Sequence, residues 1–152
     1  MYFHNMKIIK ASLANIEQLI PLFDAYRVFY KQPSDPLAAR NFLVDRFKQK
    51  DSTIFLALDT ETNGLGFTQL YPSFSSVRMQ RTYILNDLFV TKTARGQGVG
   101  EALMLRAKEF AKQEGSRGLT LETDRDNPAQ KLYERLGWVK DTKVFHYTWE
   151  NK

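Results

Sequence analysis

The sequence predicts an α/β domain built on a mixed sheet, and three observations carry that prediction. Strand-like and helix-like segments alternate through all 152 residues, without repeats or low-complexity linkers. Two neighbouring strand-like runs are joined across Thr62-Asn63-Gly64, a hairpin signal that makes part of the sheet antiparallel. A glycine-rich turn leaves the long strand-like run at 83–90 and opens an amphipathic stretch. The length suits a single domain over 1–152, and 43% hydrophobic residues with 13% aromatic supply enough apolar surface for one core.

The elements follow in order. Residues 6–10 read as a first strand. Ser12 has N-cap character for an amphipathic helix running through Ile16, Leu19, Ile20, Phe23, Tyr26 and Val28, with Pro21 a kink position. Ser34-Asp35-Pro36 opens a second helix, proline near its first position, and Leu37, Phe42, Leu43 and Phe47 are its apolar residues. Residues 53–58 and 65–71 read as the hairpin strands. Residues 83–90 form a long strand, apolar on both faces apart from Asn86 and Asp87. A helix over 98–114 ends at Gly115, where a C-cap belongs. Residues 119–123 read as a strand, 128–136 as a helix closed by Gly137, and 144–149 alternates as a last strand. The order is β-α-α-β-β-β-α-β-α-β.

Composition removes several kinds of chemistry. There is no cysteine, so no disulfide framework, thiol nucleophile or thiolate metal site is expected. His4 and His146 lie at opposite ends of the chain and have no second histidine at ligand spacing, so no metal is expected. No apolar run approaches the roughly 18–20 residues that span a bilayer, and MYFHNMKIIK lacks the apolar core of a secretory signal. A cytoplasmic protein with no membrane partner is the expectation. The net charge of +5 is uneven. Residues 1–75 carry 8 Lys+Arg against 7 Asp+Glu, and residues 76–152 carry 14 against 10. A basic half suits an anionic partner or is simply a solvated surface.

Arg95-Gly96-Gln97-Gly98-Val99-Gly100 is the most informative stretch. Closely spaced glycines let the backbone turn tightly and approach a ligand. The helix start that follows offers unpaired N–H groups and the positive end of a dipole, which together suit phosphate. Arg95 adds a guanidinium for phosphate oxygens. No Lys-Ser or Lys-Thr follows these glycines, so this is not a P-loop, and Glu101 stands where a dinucleotide fingerprint needs glycine. A tight packing turn is the other reading of the same residues.

The string NDLFVTKTARGQGVGE, from Asn86 to Glu101, resembles the acetyl-CoA motif [QR]-x-x-G-x-[GA] of the GNAT superfamily of N-acetyltransferases, with Arg95, Gly98 and Gly100 at its three defined positions. NPAQKLYERLGW, from Asn127 to Trp138, is similar to that superfamily's second motif, a helix with Tyr that ends in Leu-Gly-aromatic. The segments around 30–35 and 67–74 look like its histone- or polyamine-acetyltransferase-like subgroup. The resemblance covers nearly the whole chain. It implies a GNAT fold: a mixed, mostly antiparallel sheet of six to seven strands flanked by about four helices, with the central strands splayed.

The resemblance also implies roles. Gly96, Gln97, Gly98, Val99, Gly100 and Glu101, with Arg95, would hold the coenzyme A pyrophosphate. Leu88, Phe89 and Val90 would pair with the pantetheine arm, an N–H near Val90 facing the thioester oxygen. Tyr133 would protonate the departing thiolate, and Asn127 would approach the pantetheine while capping its own helix. Packing is the other role open to Tyr133, which borders a stripe of Ala129, Leu132 and Leu136. A primary ammonium is about 3 pH units from neutrality at pH 7, roughly 4–5 kcal/mol, so a base helps. Asp87 is the first candidate because a carboxylate in an apolar strand is unusual unless paired or functional, and Glu122 is the second, a structural carboxylate being the other reading of each. Tyr30, Tyr71, Phe74 and Asn86 would border the acceptor, core or interface packing being the other role open to the three aromatics. Asn86 departs from the acidic pattern of diamine acetyltransferases, since an amide is no base.

The function expected from these residues is acetyl transfer from acetyl-CoA to a small primary amine, polyamine or amino-acid-like, by direct attack in a ternary complex. Protein lysine or N-terminal acetylation, and coenzyme A binding without catalysis, are the alternatives. A homodimer is expected and a nucleic-acid partner is not.

Overall fold

The structure, a computed structural model, describes residues 5–151; His4 lies outside them. Two compact units divide the chain, one ending at Glu122 and the other beginning at Thr123. The first holds a five-stranded sheet in the order β1-β2-β3-β4-β5, formed by β1 (Lys7–Lys10), β2 (Thr53–Leu58), β3 (Gly64–Ser75), β4 (Gln80–Val90) and β5 (Leu119–Thr120). Strands β1 to β4 are antiparallel neighbours, and β5 joins β4 in parallel.

Helices cover both faces. On one side lie α1 (Ile16–Phe29) and α2 (Pro36–Gln49), and on the other α3 (Val99–Gln113). Ser12 caps the short 3-10 turn that leads into α1, its hydroxyl accepting from Ala14 N–H while Asn15 reaches back to the Ser12 N–H. Helix α1 runs through Pro21 without a break. Asp35 caps α2 at the Ala38 N–H, with Pro36 at the first helical position. The α1/α2 layer buries Leu19, Ile20, Phe23 and Leu43 against Ile54, Leu56, Phe67 and Phe89 of the sheet. On the opposite face Phe110 of α3 meets Phe55 at 5.5 Å and Tyr83 at 5.1 Å between ring centroids.

Two sheet details position the candidate site. Gln69 pairs with Asp87, yet Leu70 pairs with Leu85, so Asn86 is the extra residue of a β-bulge in β4. Side chains two apart would otherwise share a face. The bulge turns Asp87 to the α1/α2 side with Phe89, while Leu85 stays on the α3 side with Leu70. The second detail is the short contact between β4 and β5, confined to Tyr83↔Leu119 and Ile84↔Thr120. Strand β4 continues six residues beyond it, to Val90.

The sheet corrects the expected six to seven strands. The strand expected over 119–123 extends only through Leu119–Thr120. Residues 144–149 form no strand, and Phe145, Tyr147 and Trp149 are 88%, 93% and 83% exposed. Alternation marks residues fit for a half-buried strand, but a strand exists only through a ladder partner, and among the described residues none pairs with this segment. The second unit contains α4 (Gln130–Arg135), closed by Gly137 at φ +92°.

Candidate active site

The glycine turn takes shape from the end of β4. Thr91 N–H makes the last bond to β3, at Leu65 O (2.8 Å), and a 3-10 turn over Lys92–Ala94 follows. Gly96 and Gly98 then adopt φ of +77° and +85°, a region that L side chains enter only with strain. A Cβ at Gly96 would meet nothing within 4 Å, so the backbone there faces open space. Gly98 supplies no side-chain cap to α3, and Ala102 N–H makes the bond to Gly98 O (3.0 Å). The amides of Val99 and Gly100 therefore lie at an uncapped, positively polarised helix start open on its glycine side. This geometry fits a pyrophosphate. Leu88 and Val90 are half-buried in the strand leading to the turn, Gln97 Nε2 bonds Thr93 O (3.3 Å), and Glu101 lies in the first turn of α3.

Arg95 is tied down. Its Nε donates to Val90 O at 3.0 Å, and its guanidinium carbon sits 5.6 Å from the Phe89 ring centroid and 5.9 Å from that of Phe29. It braces the corner between β4 and the turn. Gly66, opposite Val90 in β3, is a second requirement of this corner. A Cβ there would come within 2.6 Å of Phe89 O and 3.2 Å of Val90 Cα.

The bulge gathers the residues expected on the acceptor side. Asp87 is 4% exposed, and both of its oxygens accept from neutral amides: Gln69 Nε2 bonds Oδ2, and Asn86 Nδ2 bonds Oδ1 at 2.9 Å. Thr68 Oγ1 donates to the Asp87 carbonyl at 2.8 Å. Gln69 is wholly buried, and its Oε1 has no partner. Tyr26 lies over this region from α1. Its ring packs edge-on against Phe67 (5.8 Å) and Phe89 (6.2 Å), and its hydroxyl is 3.4 Å from Asn86 O. Burial first, then the Asp87 charge, holds the Tyr26 phenol far above the ordinary tyrosine range. The same two causes push Tyr71 up to about 12, with Arg46 pulling the other way.

A carboxylate removed from water and solvated only by neutral donors is costly unless a cation joins it. Asp87 has amides, phenols and a hydroxyl around it. Tyr30, next to Tyr26 at 5.1 Å, and Tyr71 border the same face. Phe74 does not join them. It pairs with Arg81, whose guanidinium lies 4.8 Å from the Phe74 ring and 5.8 Å from that of Tyr83, on the α3 side of the sheet. Glu122 is exposed, two residues beyond β5.

In the second unit, Asn127 Oδ1 accepts from Ala129 N–H (2.9 Å) at the turn into α4. Tyr133 is half-buried in α4, its ring 6.5 Å from that of Trp138, and the Trp138 backbone N–H donates to the Tyr133 backbone carbonyl (3.0 Å). Among the described residues no group of three or more His, Asp or Glu is placed to hold a metal, and no helix is long and apolar enough to cross a membrane.

Gln69, Tyr26 and Gly66 are site residues that the sequence reading did not single out. The available signal was parity: Gln69 is the polar residue between Phe67 and Tyr71 on an inward face.

Comparison with known proteins agrees with this geometry. The model of the acetyltransferase (GNAT) family matches residues 16–138. YhfO, an uncharacterized N-acetyltransferase of Bacillus subtilis, is 47% identical over 145 residues, covering 93% of this chain and 95% of its own. A probable acetyltransferase of Haemophilus influenzae is 35% identical over 141 residues, covering 85% and 97%. The crystal structure of a probable acetyltransferase superposes with a TM-score of 0.91 at 41% identity, over 96% of this chain and 98% of that one. A mixed sheet with its glycine turn at the start of α3, a family model matching residues 16–138, and relatives of this similarity over most of the chain lead to one conclusion: the chain belongs to the GNAT family of acetyltransferases.

Proposed function

We propose that this chain, as a single GNAT domain over residues 1–152, transfers an acetyl group from acetyl-CoA to a primary amine of a small molecule, polyamine or amino-acid-like, by direct attack. The observation that carries the acceptor side is Asp87, a buried carboxylate held by the neutral amides of Gln69 and Asn86, at the bulge that leads into the strand assigned to the cofactor arm. An ammonium would supply a positive charge beside it, and Asp87 would act as the base. Reaching the neutral amine costs roughly 4–5 kcal/mol at neutral pH, at about 1.4 kcal/mol per pH unit, and Asp87 would give the released proton a route off the amine during attack. The tyrosine faces of Tyr26, Tyr30 and Tyr71 suit a cation as well.

Acetyl-CoA, when bound, supplies an activated thioester. The amides from Gly96 to Gly100 would hold its pyrophosphate, and Leu88–Val90 would align its arm, a Val90 N–H facing the carbonyl oxygen. Arg95 fixes the backbone at Val90 and thereby the line of that strand. Tyr133 is assigned the proton donated to the leaving sulfur and Asn127 a place beside the arm. The histone/polyamine-like subgroup, a homodimer and a cytoplasmic location complete the reading.

The test is an acetyl-CoA turnover screen against polyamines, amino acids, aminoglycosides and lysine peptides. Release of coenzyme A with a small amine supports the reading. Turnover with lysine peptides alone, or tight acetyl-CoA binding without turnover of any amine, overturns it.

A further inference from the structure

One permanent charge on the α1/α2 face has no part in acetyl transfer as described. Arg46 stands in the last turn of α2, its guanidinium carbon 4.9 Å from the Phe42 ring centroid. Its ion pair with Asp51 is loose, Nη1 to Oδ2 being 3.4 Å, well beyond the roughly 2.7–2.9 Å of a charge-assisted hydrogen bond. Arg46 Nε and Asp51 Oδ1 are both buried without a hydrogen-bond partner, while the Arg46 side chain as a whole keeps 27% of its surface exposed. A guanidinium fork that is charged at every pH and under-used by the protein is suited to a carboxylate, which it can meet with two parallel bonds.

Its position relative to Asp87 can be followed along the strands. Tyr71 is two residues beyond Gln69 in β3, hence on the same face and about 7 Å further along. The pairing Thr53↔Leu70 brings the residues just ahead of β2 alongside Tyr71, and Asp51 arrives there from the corner after α2. The Tyr71 phenol responds to both ends, raised by Asp87 and lowered by Arg46.

From this placement we propose that the acceptor carries a carboxylate as well as an amine: Asp87 receives the ammonium, the Arg46 fork receives the carboxylate, and the Tyr71 ring lies between them. This rests on Asp87 being the partner of the acceptor amine and narrows the acceptor to the amino-acid-like class. A polyamine would set a second cation against Arg46 where an amino acid sets an anion.

The test compares alanine, phenylalanine and lysine, in both enantiomers, with their decarboxylated counterparts ethylamine, phenethylamine and 1,5-diaminopentane, using the full chain and acetyl-CoA. Wild type should favour at least one amino acid over its decarboxylated amine by tenfold or more in kcat/KM. In Arg46→Gln that ratio should fall at least tenfold, mainly through KM for the amino acid, and Arg46→Lys should fall between the two. A merely structural role for Arg46 would depress both acceptors together and leave the ratio in place, which overturns the proposal. Turnover of the decarboxylated amines in preference to the amino acids overturns it while leaving Asp87 as the amine's partner. Turnover of neither series overturns both.

Discussion

Replacing Gly66 with alanine tests whether the corner between β3 and β4 is as tight as its geometry implies. The new Cβ would stand 2.6 Å from Phe89 O, about 0.8 Å inside ordinary contact, and 3.2 Å from Val90 Cα. Both obstacles are backbone, so no side-chain rotation relieves them. Phe67 and Thr68, paired with Phe89 and Leu88 in the same ladder, are wholly buried and resist a shift. Overpacking of this kind costs about 1–3 kcal/mol, and a fixed backbone obstacle places Gly66→Ala in the upper half of that range. With a urea dependence of about 2 kcal/mol per M, the unfolding midpoint should fall by about 1 M. Because the displaced residues are those assigned to the acetyl-CoA arm, affinity for acetyl-CoA by calorimetry should fall as well. Gly96→Ala offers a contrast. No atom lies within 4 Å of its Cβ, so only the positive φ, about 1 kcal/mol, opposes it. A Gly66→Ala protein with an unchanged midpoint and unchanged affinity would refute the reasoning.

Other outcomes follow from the same contacts. Tyr71 should titrate near 12 in a tyrosinate absorbance titration, with Tyr26 later still; the component near 12 should vanish in Tyr71→Phe and move to lower pH in Asp87→Asn. The sign of the linked stability is fixed: the folded chain keeps this proton after the unfolded chain has lost it, so the contribution is whole below about pH 10 and disappears as pH rises to about 12. Asp24 accepts from Ser34 Oγ (2.6 Å) and Asp35 N–H (2.7 Å), bonds that hold its pKa below the ordinary carboxylate range and pin the α1–α2 turn. Asp24→Ala should therefore lower stability by about 1 kcal/mol in urea unfolding, the difference from wild type closing as pH falls below about 4.

Much of this fold can be read from local chemistry. Ser12, Asp35 and Gly115 mark element ends through side-chain bonds or a left-handed backbone that depend on near neighbours alone. The glycine turn is legible for the same reason. Features that depend on a partner strand are not. The bulge at Asn86 is defined only by the register of β3 against β4, so nothing local shows that Asp87 turns to the opposite face from Leu85. Gln69 reads as a stray polar residue until Asp87 is placed beside it. The alternation over 144–149 describes a segment suited to a ladder without providing one. Phe74 was separable in principle: it is three residues from Tyr71, and an odd spacing along one strand puts the two on opposite faces. Arg46 and Asp51 are five apart across a helix end, where sequence spacing says little about distance.

The most direct measurement is the pH dependence of kcat/KM for Asp87→Asn against wild type, on whichever small amine the turnover screen returns. The substitution is nearly isosteric, and Gln69 can turn its unpartnered Oε1 toward the new amide, so the packing has a way to adjust. Loss of the base should lower the rate at pH 7 by about 10²–10⁴-fold, with recovery as pH rises toward the amine's own pKa and free amine becomes abundant. Wild-type rates for Asp87→Asn across pH 6–9 would contradict the assignment of the buried carboxylate to the acceptor amine.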